Sequence, residues 1–356
     1  MKKASSLWPV ACGLALLTPV SAQEPEYGAV APSAPVQFDL ERADIVAFAR
    51  QVSERNQSLN EKDVLALLAK AEPQPRIVEL MSRPAERVSP WYEYRARFLN
   101  EERIAEGARF WTAHRDVLDR VSSERGVAPE YIVAIIGVET LYGRITGRFR
   151  VLDALATLAF DYPPRSDFFR SELEQFMLLS REESLDPLTT LGSYAGAMGA
   201  PQFMPSSYRR YAVSGGTDQR RDLWGEWDDV IASVANYFRE SGWETGAPVL
   251  AEVELDPEPT FTIEPRNLEL NQTVDGLRKQ GVRPKIDLPG DTPALLVFAE
   301  QRDGPAYRVG FKNFHVITRY NRSTRYAMAV HELAQAIRDR VPPAPPTGGA
   351  VPAPAS

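Results

Sequence analysis

The chain has 356 residues, 44% of them hydrophobic and 25% charged, with a formal charge of −7 and a single cysteine. That length supports two or three compact units with a sizeable core. An acidic chain without a basic tract is a poor partner for nucleic acid or anionic lipid, and an anionic ligand would have to be held by local arginines. No stretch past the N-terminus approaches the roughly 20 apolar residues that a membrane span needs.

The opening MKKASSLWPVACGLALLTPVSA reads as a secretory signal over residues 1–22. Lys2 and Lys3 form its charged start, Leu7 to Leu17 its apolar segment, and Val20-Ser21-Ala22 a small-residue cleavage site. The expectation is a periplasmic protein. Cys12 would be acylated under an outer-membrane lipoprotein reading, but Pro9-Val10-Ala11 is a poor lipobox, so the cleaved, soluble form is favoured. The mature chain would then lack disulfides and cysteine metal sites.

Residues 23–37 read as a Pro/Ala-rich linker. Helices are predicted from apolar periodicity over Arg42–Glu54, then over Glu61–Ala71 with Asn60 as N-cap. Trp91–Glu124 reads as either one helix or two. Further helices are expected over Pro129–Tyr142, Leu152–Phe160, Ser166–Glu183 with Ser166 as cap, Trp227–Ser241 and Thr324–Arg340. Between Ala247 and Tyr320 the segments VLAEVEL, ALLVFAE and YRVGFKNFHVITRYN are β-branched and aromatic, and suggest a small β-containing unit. Residues 341–356, rich in Pro and Ala, read as a disordered tail.

Several chemistries are set aside. His114, His315 and His331 form no metal-ligand spacing, GSYAG is not a GxSxG elbow, and neither a Walker loop nor a dinucleotide fingerprint is present. Nothing calls for a cofactor. Within YIVAIIGVETLYGR, Ile132, Ile135, Ile136 and Glu139 fall on one helix face. A carboxyl group among isoleucines has a raised pKa and suits a general acid. The competing reading is a glutamate that reaches water or pairs with Arg144 or Arg148.

The segment LGSYAGAMGAPQFMPSSY sets Gly192, Gly196 and Gly199 among Ser193, Tyr194, Met198, Gln202 and Phe203. Glycines let a backbone approach a ligand, and the polar and aromatic groups suit a sugar; a structural turn punctuated by Pro201 and Pro205 fits equally. The cluster TRYNRSTRY places Tyr320, Asn321 and Tyr326 before the last helix, either as a cleft wall or as a strand exit capped by Ser323 or Thr324.

VETLYGRITGRFRVLDALATLAFDYPPRSDFF, GSYAGAMGAPQFMPSSY, DLWGEWDDVIASVANYF and RYNRSTRY together closely resemble the lytic murein transglycosylase B family, from about Phe38 to Arg340. The resemblance implies a mainly α fold. It consists of a helical flanking domain (38–125), a catalytic lysozyme-like α core (126–246), a small β insertion (247–318) and a final core segment with its helix (319–340). It implies cleavage of the β-1,4 bond between N-acetylmuramic acid and N-acetylglucosamine in peptidoglycan glycan strands, leaving a 1,6-anhydromuramoyl end. The alternatives are a muramidase that adds water and a non-catalytic peptidoglycan-binding protein; recruitment by other cell-wall enzymes is left open.

Carried over by motif, the catalytic acid falls on Glu139. The cleft residues fall on Ser193, Gln202, Tyr320, Asn321 and Tyr326, with Tyr94 (or its neighbour Tyr92) upstream and Tyr237 as a further wall residue. Ordinary glycosidases use two carboxylates; no second acid accompanies Glu139, and one suffices if it protonates the leaving oxygen and then takes a proton from the sugar's own C6 hydroxyl. Many family members carry a D-x-D-G-D-G calcium loop before DLW. Here the stretch from Ser214 is SGGTDQRRDLW, with only Asp218 retained among the first three carboxylate positions, so a weak or absent calcium site is expected.

Overall fold

A computed structural model describes residues 37–82, 89–264 and 267–343. The predicted signal segment with Cys12, the linker up to residue 36 and the tail from residue 344 lie outside the described residues.

Six helices lead the chain: α1 (Ala43–Arg55), α2 (Glu61–Leu68), α3 (Pro75–Ser82), α4 (Trp91–Ala96), α5 (Glu101–Ala113) and α6 (Arg115–Arg125). Asn60 caps α2 as predicted, its side chain accepting from the Asp63 amide at 2.8 Å. Trp91–Glu124 is three helices rather than one or two. Asn100 restarts the chain by accepting from the Arg103 amide, and His114 separates α5 from α6.

The body continues with α7 (Pro129–Thr140), strand β1 (Phe149–Arg150), α8 (Val151–Phe160), α9 (Ser166–Glu182), strand β2 (Leu191–Gly192), α10 (Pro205–Tyr211) and α11 (Trp227–Glu240). Every residue of α7 from Glu130 to Thr140 is buried, so the isoleucine stripe marks no special face; the helix runs through the core. Arg165, not Ser166, occupies the cap position of α9, because a 3-10 turn over Pro163–Arg165 feeds directly into the helix.

An antiparallel sheet of order β4-β6-β7-β3-β5 follows, built from β3 (Leu250–Leu255), β4 (Gln272–Thr273), β5 (Val282–Pro284), β6 (Pro293–Gln301) and β7 (Gly304–Gly310), with α12 (Val274–Lys279) between β4 and β5. Alternation sorts its two faces. Leu295, Val297 and Ala299 join the main core, while Ala294, Val309 and Ala251 join Val274 and Leu277 of α12 in a smaller one.

The chain returns through α13 (Lys312–Tyr320) and α14 (Thr324–Arg340). KNFHVITRY is therefore helical, against its β-branched reading. Asn313, Phe314, Val316 and Ile317 are buried at helical spacing, and the buried Asn313 amide pins the first turn to Glu244 and Ala247. Helix α14 packs along α7 and α5, which brings the C-terminal motif to the end of α7. No helix among the described residues is long and apolar enough to cross a membrane.

Candidate active site

Helix α7 ends one residue after Glu139. Leu141, Tyr142 and Gly143 all take positive φ (50°, 57° and 82°), so the chain turns sharply away and leaves Glu139 in the last turn. Thr140 fastens that end. Its hydroxyl donates to the Ala200 carbonyl at 2.9 Å and accepts from the Gly143 amide at 3.0 Å, joining the helix to the glycine-rich segment.

Glu139 is 8% exposed, and its Oε1 accepts a 2.5 Å hydrogen bond from the Tyr326 hydroxyl. Burial raises its pKa to about 7, against the opposing pull of that bond, which favours the anion. Among the described residues no second carboxylate contributes to its ionisation. Arg144 pairs with Glu102 at 3.1 Å instead, so the reading of Glu139 as a surface ion-pair partner of that arginine fails. Burial and the Glu139 charge hold the Tyr326 hydroxyl far above its ordinary pKa, which keeps it a donor.

The turn between α13 and α14 supplies the rest of that wall. Ser323 caps α14, accepting from the Tyr326 amide, and its own amide donates to the Asn321 carbonyl at 2.7 Å. Asn321 is buried. The Tyr320 hydroxyl donates to the Pro201 carbonyl at 2.5 Å, and its ring lies 4.7 Å from that of Tyr237 and 5.9 Å from that of Phe203. Tyr237 stands behind: it is buried, with its hydroxyl donating to the Arg319 carbonyl at 2.7 Å.

The glycine-rich segment is a tight, self-bonded loop. The Ser193 hydroxyl oxygen accepts from the Ala197 and Ala195 amides at 3.0 and 3.3 Å, which leaves its proton free to donate. Gln202 sits at φ 53°, with its amide nitrogen donating to the Gly199 and Thr146 carbonyls. The glycines serve protein packing rather than ligand approach. A Cβ on Gly192 would lie 2.4 Å from the Ala197 oxygen, and one on Gly199 would lie 2.4 Å from the Leu223 oxygen.

Tyr94 and Tyr92 separate clearly. Burial pushes the Tyr94 hydroxyl up to about 12, with Glu139 adding to the rise and Arg325 and Arg97 opposing it, so Tyr94 lies within electrostatic reach of Glu139. The Tyr92 ring lies under Arg302 of the β unit. Sequence reading missed Thr140, Arg325 and also Arg103, whose Nε donates to the Gly137 carbonyl at 3.0 Å from α5. None of the three carries a spacing signal, since each acts through a partner distant in the chain.

In the loop before Trp224 the carboxylates already have backbone partners. Asp229 accepts from the Gly215 and Asp222 amides at 2.7 Å each, Asp222 from the Trp224 and Gly225 amides, and exposed Asp218 from the Arg220 amide. Arg221 bridges to Glu183, and Arg120 reaches the Gly215 carbonyl and Asp228. Among the described residues no three His, Cys, Asp or Glu side chains are placed to hold a metal ion. Calcium takes six to eight oxygen ligands, and the carboxylates of this loop are engaged mainly with backbone amides and arginines.

Residues 41–335 match the transglycosylase SLT domain family. The chain is 44% identical over 247 residues to the membrane-bound lytic murein transglycosylase B of Escherichia coli (strain K12), which spans 69% of this chain and 67% of that protein. It is also similar to the crystal structure of soluble lytic transglycosylase SltB1 from Pseudomonas aeruginosa, with 45% identity, a TM-score of 0.76 and coverage of 83% and 99% of the two chains. A further similar structure is SltB3 from Pseudomonas aeruginosa in complex with NAG-NAM-pentapeptide, with 30% identity, a TM-score of 0.72 and coverage of 82% and 78%.

Proposed function

The chain belongs to the transglycosylase SLT domain family, and from that premise we propose how this lytic transglycosylase acts on peptidoglycan. The bond cleaved is the β-1,4 linkage between N-acetylmuramic acid and N-acetylglucosamine. Protonated Glu139 gives its proton to the glycosidic oxygen as the C1–O4 bond breaks. The resulting carboxylate then removes the proton from the C6 hydroxyl of the same muramic acid residue. O6 closes on C1, Glu139 regains its proton, and no water is consumed.

One observation carries this reading: a buried carboxyl group with a pKa of about 7 has a tyrosine donor and no second carboxylate acting on it among the described residues. A single group poised near neutrality can serve as acid and then as base. Tyr326 positions Glu139. Ser193, Gln202, Tyr320, Asn321 and Tyr94 line the glycan's path, and Tyr237 supports Tyr320 from behind. No step is assigned to a metal. Export by the N-terminal segment places the enzyme in the periplasm, where its substrate lies; labelling with radioactive palmitate distinguishes the cleaved form from one acylated at Cys12.

Mass spectrometry of digested sacculi tests the reaction. The products should be lighter by one water than those of hydrolysis, and Glu139→Gln should abolish cleavage while retaining binding. Products bearing a free reducing end would identify a muramidase, and cell-wall turnover unaffected by Glu139→Gln would identify a binding protein.

A further inference from the structure

Two guanidinium groups converge on Ser89, beside α4 and the start of α14. Arg97 Nη2 donates to Ser89 Oγ at 2.8 Å, and Arg325 Nη1 donates to the Ser89 carbonyl at 2.5 Å. Arg325 is half-buried, with its guanidinium 5.5 Å from the centroid of the Tyr94 ring. Burial and the neighbouring Arg97 charge both lower its basicity. Among the described residues neither arginine forms an ion pair, whereas nearby Arg95 pairs with Glu332. Like charges brought together in a partly desolvated place repel, and the cost is relieved when an anion joins them.

This pair is linked to Glu139 through Tyr94 and Tyr326. Arg325 immediately precedes Tyr326, the residue bonded to Glu139. The Tyr94 hydroxyl lies within electrostatic reach of Arg97, Arg325 and Glu139 together. The chain as a whole carries −7, so the pair is a local reversal of sign that acts by contact rather than by long-range steering.

We propose that Arg97 and Arg325 form a carboxylate-binding position on the cleft wall, taking a free carboxylate of the peptide carried by the bound glycan. The proposal rests on the peptidoglycan reading above. A guanidinium offers paired N–H groups that match a carboxylate, and here each guanidinium is already oriented by Ser89. The enzyme therefore favours peptide-bearing over bare glycan, and recognises the charge rather than the bulk of the peptide.

Three substrates test it: glycan with its peptides, the same glycan with the peptide carboxylates amidated, and glycan stripped of peptides. For the wild-type enzyme kcat/KM should be roughly tenfold higher on the first than on either other, the scale of a charge-assisted hydrogen bond. The preference should shrink as salt is raised. In Arg97→Gln/Arg325→Gln the ratio should fall to about one, and Arg97→Gln alone, at an exposed position, should lower it without touching the core. An unchanged ratio in both variants, or equal rates on carboxylated and amidated peptides, overturns the proposal. Calorimetric binding of the three glycans to Glu139→Gln protein separates this from the reaction itself. The same order of affinities supports the site even if the cleavage chemistry fails, and equal affinities remove it.

Discussion

Tyr326 and Glu139, 187 residues apart in the chain, share one buried hydrogen bond of 2.5 Å, and among the described residues it is the only interaction that pulls the Glu139 pKa down against burial. The bond stabilises the carboxylate, so its loss leaves desolvation unopposed and the pKa rises further. The first chemical step needs the protonated form, so kcat/KM of the wild-type enzyme should decline as pH rises through about 7. In Tyr326→Phe that descending limb should move to higher pH. The rate on its plateau should fall as well, because the carboxyl group loses its orienting partner. A pH–rate profile of the two enzymes decides it; a limb below pH 5 in the wild type would remove the raised-pKa account.

Removing the carboxyl group should stabilise the fold, in a pH-dependent way. The folded-state pKa of about 7 lies above the ordinary value of 4.5. Below about pH 4.5 both folded and unfolded chains hold the proton, and Glu139→Gln should leave stability nearly unchanged. Between the two values the unfolded chain releases a proton that the folded one keeps, so the wild type loses stability as pH rises. At about pH 8 the inactive Glu139→Gln protein should be more stable by up to about 3 kcal/mol. Urea denaturation at the two pH values measures the difference, and a gap that does not grow with pH contradicts it.

The sequence made α7 legible because Pro129 opens it and an apolar run follows; Glu139 stood out as the one carboxyl group far along that run. What the spacing suggested about a special face was misplaced, since the helix is buried all round. KNFHVITRY was illegible as a helix because Val316, Ile317 and Thr318 favour strands locally; tertiary burial of Phe314 and Ile317 overrides that preference. The Tyr326 bond could not be foreseen from either motif alone, because it depends on how α14 packs along α7. The glycines of the Ser193 loop misled for another reason: a requirement for close approach is visible in sequence, but its partner, here protein backbone, is not.

Glu139 also depends on a small-residue contact behind it. A Cβ on Gly137 would lie 2.5 Å from the Tyr142 hydroxyl oxygen, which donates to the Arg103 carbonyl at 2.8 Å. Arg103 in turn holds the Gly137 carbonyl. Gly137→Ala should therefore push the last turn of α7 away from Tyr142 and displace Glu139. Overpacking of this kind costs about 1–3 kcal/mol, and a shift of about 1 Å at the reacting group lowers kcat on the order of a hundredfold. Steady-state kinetics beside a thermal melt checks this; retained kcat in a destabilised protein would show that the turn absorbs the methyl without moving Glu139.

The loop from Ser214 to Trp224 should be held by its arginines rather than by an ion. Arg221 contacts Glu183 with both side chains largely shielded from water, and its guanidinium lies 6.0 Å from the Tyr208 ring. Asp222 and Asp229 accept hydrogen bonds from backbone amides, so calcium is expected to gain too few oxygens here to order the loop. Added calcium or a chelator should leave the melting temperature unchanged. Arg221→Ala should expose the Glu183 charge to an unpaired, partly buried position and cost about 2 kcal/mol. Calcium should not restore that loss, because the substitution frees one carboxylate where the ion takes at least six oxygens, about 2.3–2.6 Å away. Thermal melts of both proteins, with calcium and with chelator, test the pair of expectations together. A wild-type melting temperature that rises with calcium would overturn the expectation, since it would show that the folded protein binds the ion.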